Sequence, residues 1–302
     1  MRKFAIMTLL WQQLIGGVIL FSAVSSQDQS VAQGAQNSSP DKLSVQVFLT
    51  ASDKKGSPAT PVQSELSVSV DKQPSQINAL RPAKNDPLLF ALVVDTSRSD
   101  IGSADSIKKA ALQLFQNLST DGNRGYLVLF SGTVTISKQP LQVSQAQGAL
   151  DAARFGGGTA VYDAIQQTCI QTLSRSKNPA TPRRAILLIS DGEGNLSHIT
   201  HIKAEEAVEK DGVAVFSLVT RSSLAGPQGE HFLKEISQGT GGQAISVKNV
   251  TDGVVPLLAA IENQWALSFV PAQSLDQRFH SLDIKALKKG VHVFAPAHIF
   301  AP

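Results

Sequence analysis

Residues 88–94 form an unbroken apolar run, Leu88-Leu89-Phe90-Ala91-Leu92-Val93-Val94, as expected of a strand buried on both faces. Downstream, Ile107, Ala111, Leu114, Phe115 and Leu118 recur with the 3.6-residue period of a helix that buries one face. The same alternation continues to about residue 263. Strands are predicted over 126–130, 134–136, 185–189, 213–219 and 244–247. Helices are predicted from Ala160, over 202–208, around 231–236 and over 254–261. Repeated strand–helix units imply a mostly parallel sheet covered by helices on both faces. Either side of this region the period changes to two. Leu43, Val45, Val47 and Leu49 alternate before the turn Ser52-Asp53-Lys54-Lys55-Gly56, and Leu66, Val68 and Val70 alternate before Asp71-Lys72-Gln73-Pro74. Near the other end Leu267 and Phe269 precede Pro271, and Leu282, Ile284 and Ala286 are followed by Val291, Val293 and Ala295. These patterns predict half-buried antiparallel strands.

Neither terminal set can close a core alone. The two are therefore expected to pair into one small antiparallel β-domain. The fold class expected is α/β: a doubly wound, mostly parallel sheet inserted into that β-domain. The boundaries are 1–26 leader, 27–41 linker, 42–84 first β segment, 85–263 central domain and 264–302 second β segment.

Composition narrows the function classes. The 302 residues are 42% hydrophobic and 17% charged, a globular balance. Arg2 and Lys3, then an apolar stretch ending in Ala23 and Ser25, read as a secretory leader, with an uncleaved membrane anchor as the competing reading. Both place the rest of the chain outside the cytoplasm, in the periplasm or secreted. Subtracting Arg2 and Lys3 from the 27 basic residues, against 24 acidic ones, leaves a net charge near +1 and no electrostatic case for nucleic acid. The lone Cys169 permits no internal disulfide and falls on the apolar side of its helix, as a buried inert thiol.

In a doubly wound sheet, ligands bind beyond the carboxyl ends of the strands. Three loops there carry unusual chemistry: Asp95-Thr96-Ser97-Arg98-Ser99, Gly156-Gly157-Gly158-Thr159, and Ser190-Asp191-Gly192-Glu193. Asp95, Ser97, Ser99, Thr159 and Asp191 offer oxygen donors only. Such a set suits Mg²⁺, with Mn²⁺ or Ca²⁺ possible, rather than Zn²⁺. Hydroxyl ligands leave the cation less neutralised than a carboxylate cage would, so it would still attract an anionic oxygen. The expected rim for a partner is Asp100, Gly157, Gly158 and Glu193.

The site resembles the metal-ion-dependent adhesion site of von Willebrand factor A domains. Asp95, Ser97 and Ser99 match its Asp-x-Ser-x-Ser motif, Thr159 the threonine of its second loop, and Asp191 the aspartate before Gly192. DKKGSP, SELSVSVDKQPSQI, WALSFVP and FHSLDIK further resemble the acidobacterial-type von Willebrand factor A-related domain family, over roughly residues 42–302. The resemblance implies a non-enzymatic, adhesion-type module whose protein partner supplies an Asp or Glu to the metal. This chain departs from it at Asp100, where an apolar residue is usual, and at residues 294–300, where an Arg-x-Gly-Tyr pattern is usual.

Other readings are weaker. Gly156–Thr159 lacks the lysine of a phosphate loop. His198 and His201 would share a helix face, yet without a third ligand they are ordinary polar surface. The alternatives to a binding module are a structural part of an envelope assembly with incidental metal, and a metal-assisted hydrolase. The latter needs a general base, for which Asp100, Asp163, Glu193 or the histidines are candidates.

Overall fold

The alternating terminal segments do meet. In the computed structural model, which describes residues 44–120, 122–178, 183–220 and 226–301, they form two four-stranded sheets. The leader and the linker lie outside the described residues. No described helix is long and apolar enough to cross a membrane.

The chain begins with β1 (Val45–Asp53), β2 (Leu66–Val70), β3 (Gln73–Pro74) and β4 (Gln76–Pro82). It returns after the central domain with β11 (Trp265–Val270), β12 (Phe279–Ala286), β13 (Val291–Phe294) and β14 (His298–Phe300). One sheet has the order β13-β1-β11-β4 and the other β14-β12-β2-β3. Their inward side chains share one apolar cluster, including Val47, Leu49, Val68, Leu267, Phe269, Leu282 and Ile284. The period-two pattern thus marks a sandwich, each sheet burying the face that its own alternation supplies.

The central domain runs β5 (Leu88–Asp95), α1 (Ala104–Leu118), β6 (Arg124–Phe130), β7 (Val134–Ile136), α2 (Val143–Ala152), α3 (Val161–Thr168), β8 (Arg183–Ser190), α4 (His201–Asp211), β9 (Ala214–Val219), α5 (Pro227–Gly239), β10 (Ala244–Ser246) and α6 (Val254–Glu262). Its sheet order is β10-β9-β8-β5-β6-β7, parallel except for β7. The apolar run of β5 explains the two-sided burial. Leu88, Phe90, Leu92 and Val94 pack with α1, α2 and α6, whereas Leu89, Ala91 and Val93 pack with α3, α4 and α5. Cys169 continues α3 into a single π turn, Cys169–Leu173, and is fully buried, which pushes its thiol pKa far up.

Helix α2 is absent from the sequence expectation because only Ala146 and Leu150 of its ten residues are buried. Strand β4 was missed because it is an edge strand, largely exposed.

The chain passes from sandwich to central domain at residues 83–86 and back at 261–264. Arg183 ties both crossings. Its guanidinium donates to the carbonyls of Ala83 (3.0 Å) and Ile261 (2.7 Å) and to Gln264 Oε1 (2.9 Å). Burial pulls its pKa down to about 10, against the stabilising fields of Asp86 and Glu262.

Candidate metal centre

Chain order reverses at β5: the sheet first grows through β6 and β7, then resumes on the other side with β8. The crevice beyond the carboxyl ends of β5 and β8 is therefore the topological switch point, the usual ligand position in such sheets. Asp95 ends β5, and Asp191 follows the last residue of β8.

Asp95 is fully buried and held on both oxygens. Its Oδ1 accepts the Ser97 N–H (2.9 Å), and its Oδ2 accepts the hydroxyl of Ser190 (2.7 Å). Ser97 and Ser99 approach each other, Oγ to Oγ, at 3.0 Å, so the alternate residues of the first loop do present their hydroxyls together. Gly157 has a left-handed φ of +81°, and its carbonyl accepts the Arg98 N–H (3.1 Å), joining the second loop to the first. Thr159 is buried; its N–H donates to Asn195 Oδ1 (2.9 Å), and its carbonyl accepts the Leu196 N–H (2.9 Å). The third loop thereby grips the second. Leu196 lies so close over Gly158 that a Cβ there would come within 2.5 Å of its side chain.

The electrostatics are set by carboxylates buried close to one another. Burial pushes the Asp95 carboxyl up to about 6; the bonds from Ser190 and Ser97 oppose this, and the nearby Asp191 adds to it. Asp191 itself is buried. Its Oδ1 accepts the Glu193 N–H (3.1 Å), but its Oδ2 has no hydrogen-bond partner among the described residues. A buried carboxylate oxygen left unpaired is costly. Two carboxylates, one of them with an orphaned oxygen, and three hydroxyls fit a hard divalent cation, and the set includes no thiol or imidazole. Asp95, Ser97, Ser99, Thr159 and Asp191 would hold such an ion, which would supply a Lewis-acidic position for an anionic oxygen.

The expected rim needs one correction. Asp100 is not a surface residue: it is buried, with its Oδ2 accepting from the Thr220 hydroxyl at 3.3 Å. Burial first, then the charges of Asp95 and Asp191, push its pKa up to about 7, against the Thr220 bond. The 3₁₀ turn Arg98–Ser103 faces this side chain inward and leaves Ile101 exposed instead. Glu193 is partly buried and engaged, its Oε1 accepting the Gly226 N–H at 2.8 Å.

Asp163 serves the third loop rather than a metal. Its carboxylate accepts the N–H groups of His198 and Ile199 and contacts His198 Nδ1 at 2.7 Å. Burial works to raise its pKa, yet these bonds bring it below the ordinary value. The His201 ring packs edge-on to Tyr162 instead. Ser190, Asn195, Leu196 and Thr220 belong to the site but were not anticipated. Ser190 carried a signal, since it ends a strand at the switch point, and Thr220 follows the next strand over, β9; Asn195 and Leu196 act through loop geometry alone.

Residues 90–193 match the von Willebrand factor type A domain family, a span that contains all five candidate ligands. No curated protein matches the chain. Among solved structures, an aerotolerance-related membrane protein from Bacteroides fragilis is 18% identical, covering 58% of this chain and 98% of its own, with a TM-score of 0.46. A von Willebrand factor type A protein from Catenulispora acidiphila is 11% identical, covering 84% of this chain and 73% of its own, with a TM-score of 0.48. Proximal thread matrix protein 1 from the mussel byssus is 14% identical, covering 71% and 50% respectively, with a TM-score of 0.47. On the family match and the sheet order together, this chain carries a von Willebrand factor type A domain at its centre.

Proposed function

We propose that this domain is an extracytoplasmic binding module that takes up Mg²⁺ or a similar divalent ion and uses it to grip an Asp or Glu of a protein partner. The observation that carries the reading is the buried Oδ2 of Asp191, unpartnered among the described residues, near the buried carboxylate of Asp95. A cation there would relieve the repulsion between Asp95 and Asp191. Two carboxylates neutralise a divalent charge only formally, and hydroxyl donors add no charge, so an incoming carboxylate remains favoured. Exposed Ile101 and Leu196, each 50% accessible, flank the loops and would contact apolar neighbours of that acid. Placement outside the cytoplasm rests on the basic and apolar leader sequence.

The hydrolase reading is disfavoured because its carboxylate candidate bases are engaged. Asp163 is spent on the third loop, Asp100 is buried against Thr220, and Glu193 holds Gly226. The test is calorimetric titration of Mg²⁺ and Mn²⁺ into chelator-stripped protein. Saturable one-site binding is expected, lost in Asp191→Ala and Ser97→Ala. No binding of either ion to the unsubstituted protein would overturn the proposal. A pull-down with and without chelator then identifies the acidic partner.

A further inference from the structure

A second recognition element lies at the opposite end of the central sheet. The metal centre caps the end of β8, whereas a cleft of about 470 Å³ opens beside its beginning, at Arg184. Strand geometry separates the two by roughly 20 Å, at about 3.3 Å per residue. One wall is central-domain surface, including Arg175, Arg184 and Glu209; the other is sandwich, including Leu275 and Ile299.

The third wall is β1. Five consecutive residues, Ser44 to Phe48, line the cleft. Successive side chains of a strand point to opposite faces, so a continuous lining means that the cleft runs along the strand's edge. The strand pairing agrees. Strand β11 covers one edge of β1 from Val45 to Leu49, but on the other edge β13 pairs only with Thr50 to Asp53. After Phe294 the chain leaves this sheet through Ala295, Pro296 and Ala297 to form β14 in the other one. The edge of β1 from Val45 to Leu49 therefore has no strand partner among the described residues.

The direction of its polar groups follows from the hydrogen bonds further along. Asp53 donates to Ser57, and Ala51 accepts from Ala59, both on the β11 side. Alternation then turns the N–H and C=O of Gln46, and those of Phe48, toward the open edge. The Phe48 carbonyl is covered by Gly241, where a Cβ would come within 2.5 Å of it, and a bridge between Thr240 and Pro296 closes that end of the cleft. Both groups of Gln46 and the Phe48 N–H remain unpaired among the described residues. An unpaired strand edge is a template for another strand.

We propose that this cleft binds an extended peptide, which adds a strand to β1 where β13 departs. The backbone of the peptide would pair with Gln46 and Phe48. Its alternate apolar side chains would meet Leu275 and Ile299, and an acidic group would meet Arg175 and Arg184. The arginines supply the charge complementarity. Burial, then the neighbouring Arg175, pulls the Arg184 pKa down to about 10, against the favourable field of Asp211, so a further anion nearby stabilises its charged form. The site is independent of the metal centre.

Amide hydrogen exchange of the purified full chain tests this. The probe is a pool of hexapeptides with Val, Ile, Leu or Phe at alternate positions and a C-terminal Asp or Glu. Slowed exchange at Gln46 and Phe48 is expected, persisting in chelator. The same pool with N-methylated backbone amides should bind about tenfold more weakly, the loss expected when backbone pairing is removed. Gln46→Pro should abolish binding without unfolding the sandwich, since that N–H makes no ladder bond and edge strands tolerate proline. Gln46 already protected in the free protein, no response to the pool, or equal binding of the N-methylated pool would each overturn the proposal. So would displacement of the pool by decanoate with no protection of Gln46, which would mark a small-molecule pocket instead.

Discussion

Two buried charged groups lie at opposite ends of β8, and they are treated in opposite ways. Arg183, at its start, has its guanidinium bonded to four backbone carbonyls and one amide oxygen. Asp191, just past its end, keeps an oxygen out of water with no hydrogen-bond partner among the described residues, close enough to Asp95 to raise that carboxyl's pKa. Both burials cost solvation. The first is offset within the chain and fixes how sandwich and central domain are joined. On the proposed function the second is offset by a bound cation. A satisfied buried charge marks architecture here, and on that reading an unsatisfied one marks the ligand site.

The largest effect should come from breaking the satisfied end. Arg183→Met removes the charge but strands the carbonyls of Ala83 and Ile261 and the side chain of Gln264. A loss of about 3 kcal/mol in urea unfolding is expected from groups left buried without partners. Because the clamp spans both crossings, the unfolding transition should also broaden or split as the two parts separate. A loss below about 1 kcal/mol with a single sharp transition would show that water replaces the guanidinium, and the contrast would fail.

The unsatisfied end should behave in reverse, with a smaller effect. Asp95 at about 6 and Asp100 at about 7 lie above the ordinary 3.8, so the folded protein binds protons that the unfolded chain does not. Their contribution is fully present below about pH 4 and is lost as pH rises through 6 and 7. Chelator-stripped protein should thus lose on the order of 2 kcal/mol between pH 5 and pH 8, discounted for coupling among the three carboxylates. Saturating Mg²⁺ should oppose that slope, because cation and protons compete for the same oxygens. Asp100→Asn should flatten the metal-free slope and leave the protein more stable at pH 8. Stability rising with pH in chelator would contradict the picture.

The same contrast explains what the sequence revealed. Period and motif expose what is repeated or local: the two-sided burial of β5, the alternation of β1 and β12, and the three loops holding the five donors. What stayed hidden depends on partners distant in sequence. Asp100 was placed on the rim because it follows Ser99, and only the 3₁₀ turn and Thr220, 120 residues away, turn it inward. Arg183 drew no notice as one of a basic pair, since its acceptors lie about 100 residues upstream and about 80 downstream. The edge of β1 left bare by β13 is likewise a matter of where a distant strand ends, and Val45 to Leu49 gives no local sign of it.

The smallest effect belongs to an intermediate case, the satisfied but only partly sheltered pair of the sandwich. His280 is buried on β12. Its Nδ1 meets Asp71 Oδ2 at 2.8 Å, its Nε2 meets Asp276 Oδ1 at 3.0 Å, and Asp71 also accepts the Ser281 N–H. Burial works to lower the His280 pKa, but the hydrogen bond that its ring donates to Asp71 and the nearby Asp276 raise it above 6.5; the His280 bond chiefly lowers Asp71 below 3.8 against desolvation. The histidine's contribution is complete below about pH 6.5 and fades as pH rises through its folded value. The aspartate's is complete above about pH 4 and fades as pH falls through its own. Protection of the Ser281 amide should therefore peak between those limits, and His280→Gln should erase the decline on the alkaline side and shrink the acid one, because the bond to His280 is what chiefly lowers Asp71. The carboxylates are part exposed, so salt should weaken the peak. A profile that instead followed the metal centre, falling steadily from pH 5 to pH 8 and responding to Mg²⁺, would mean that sandwich and central domain open as one unit.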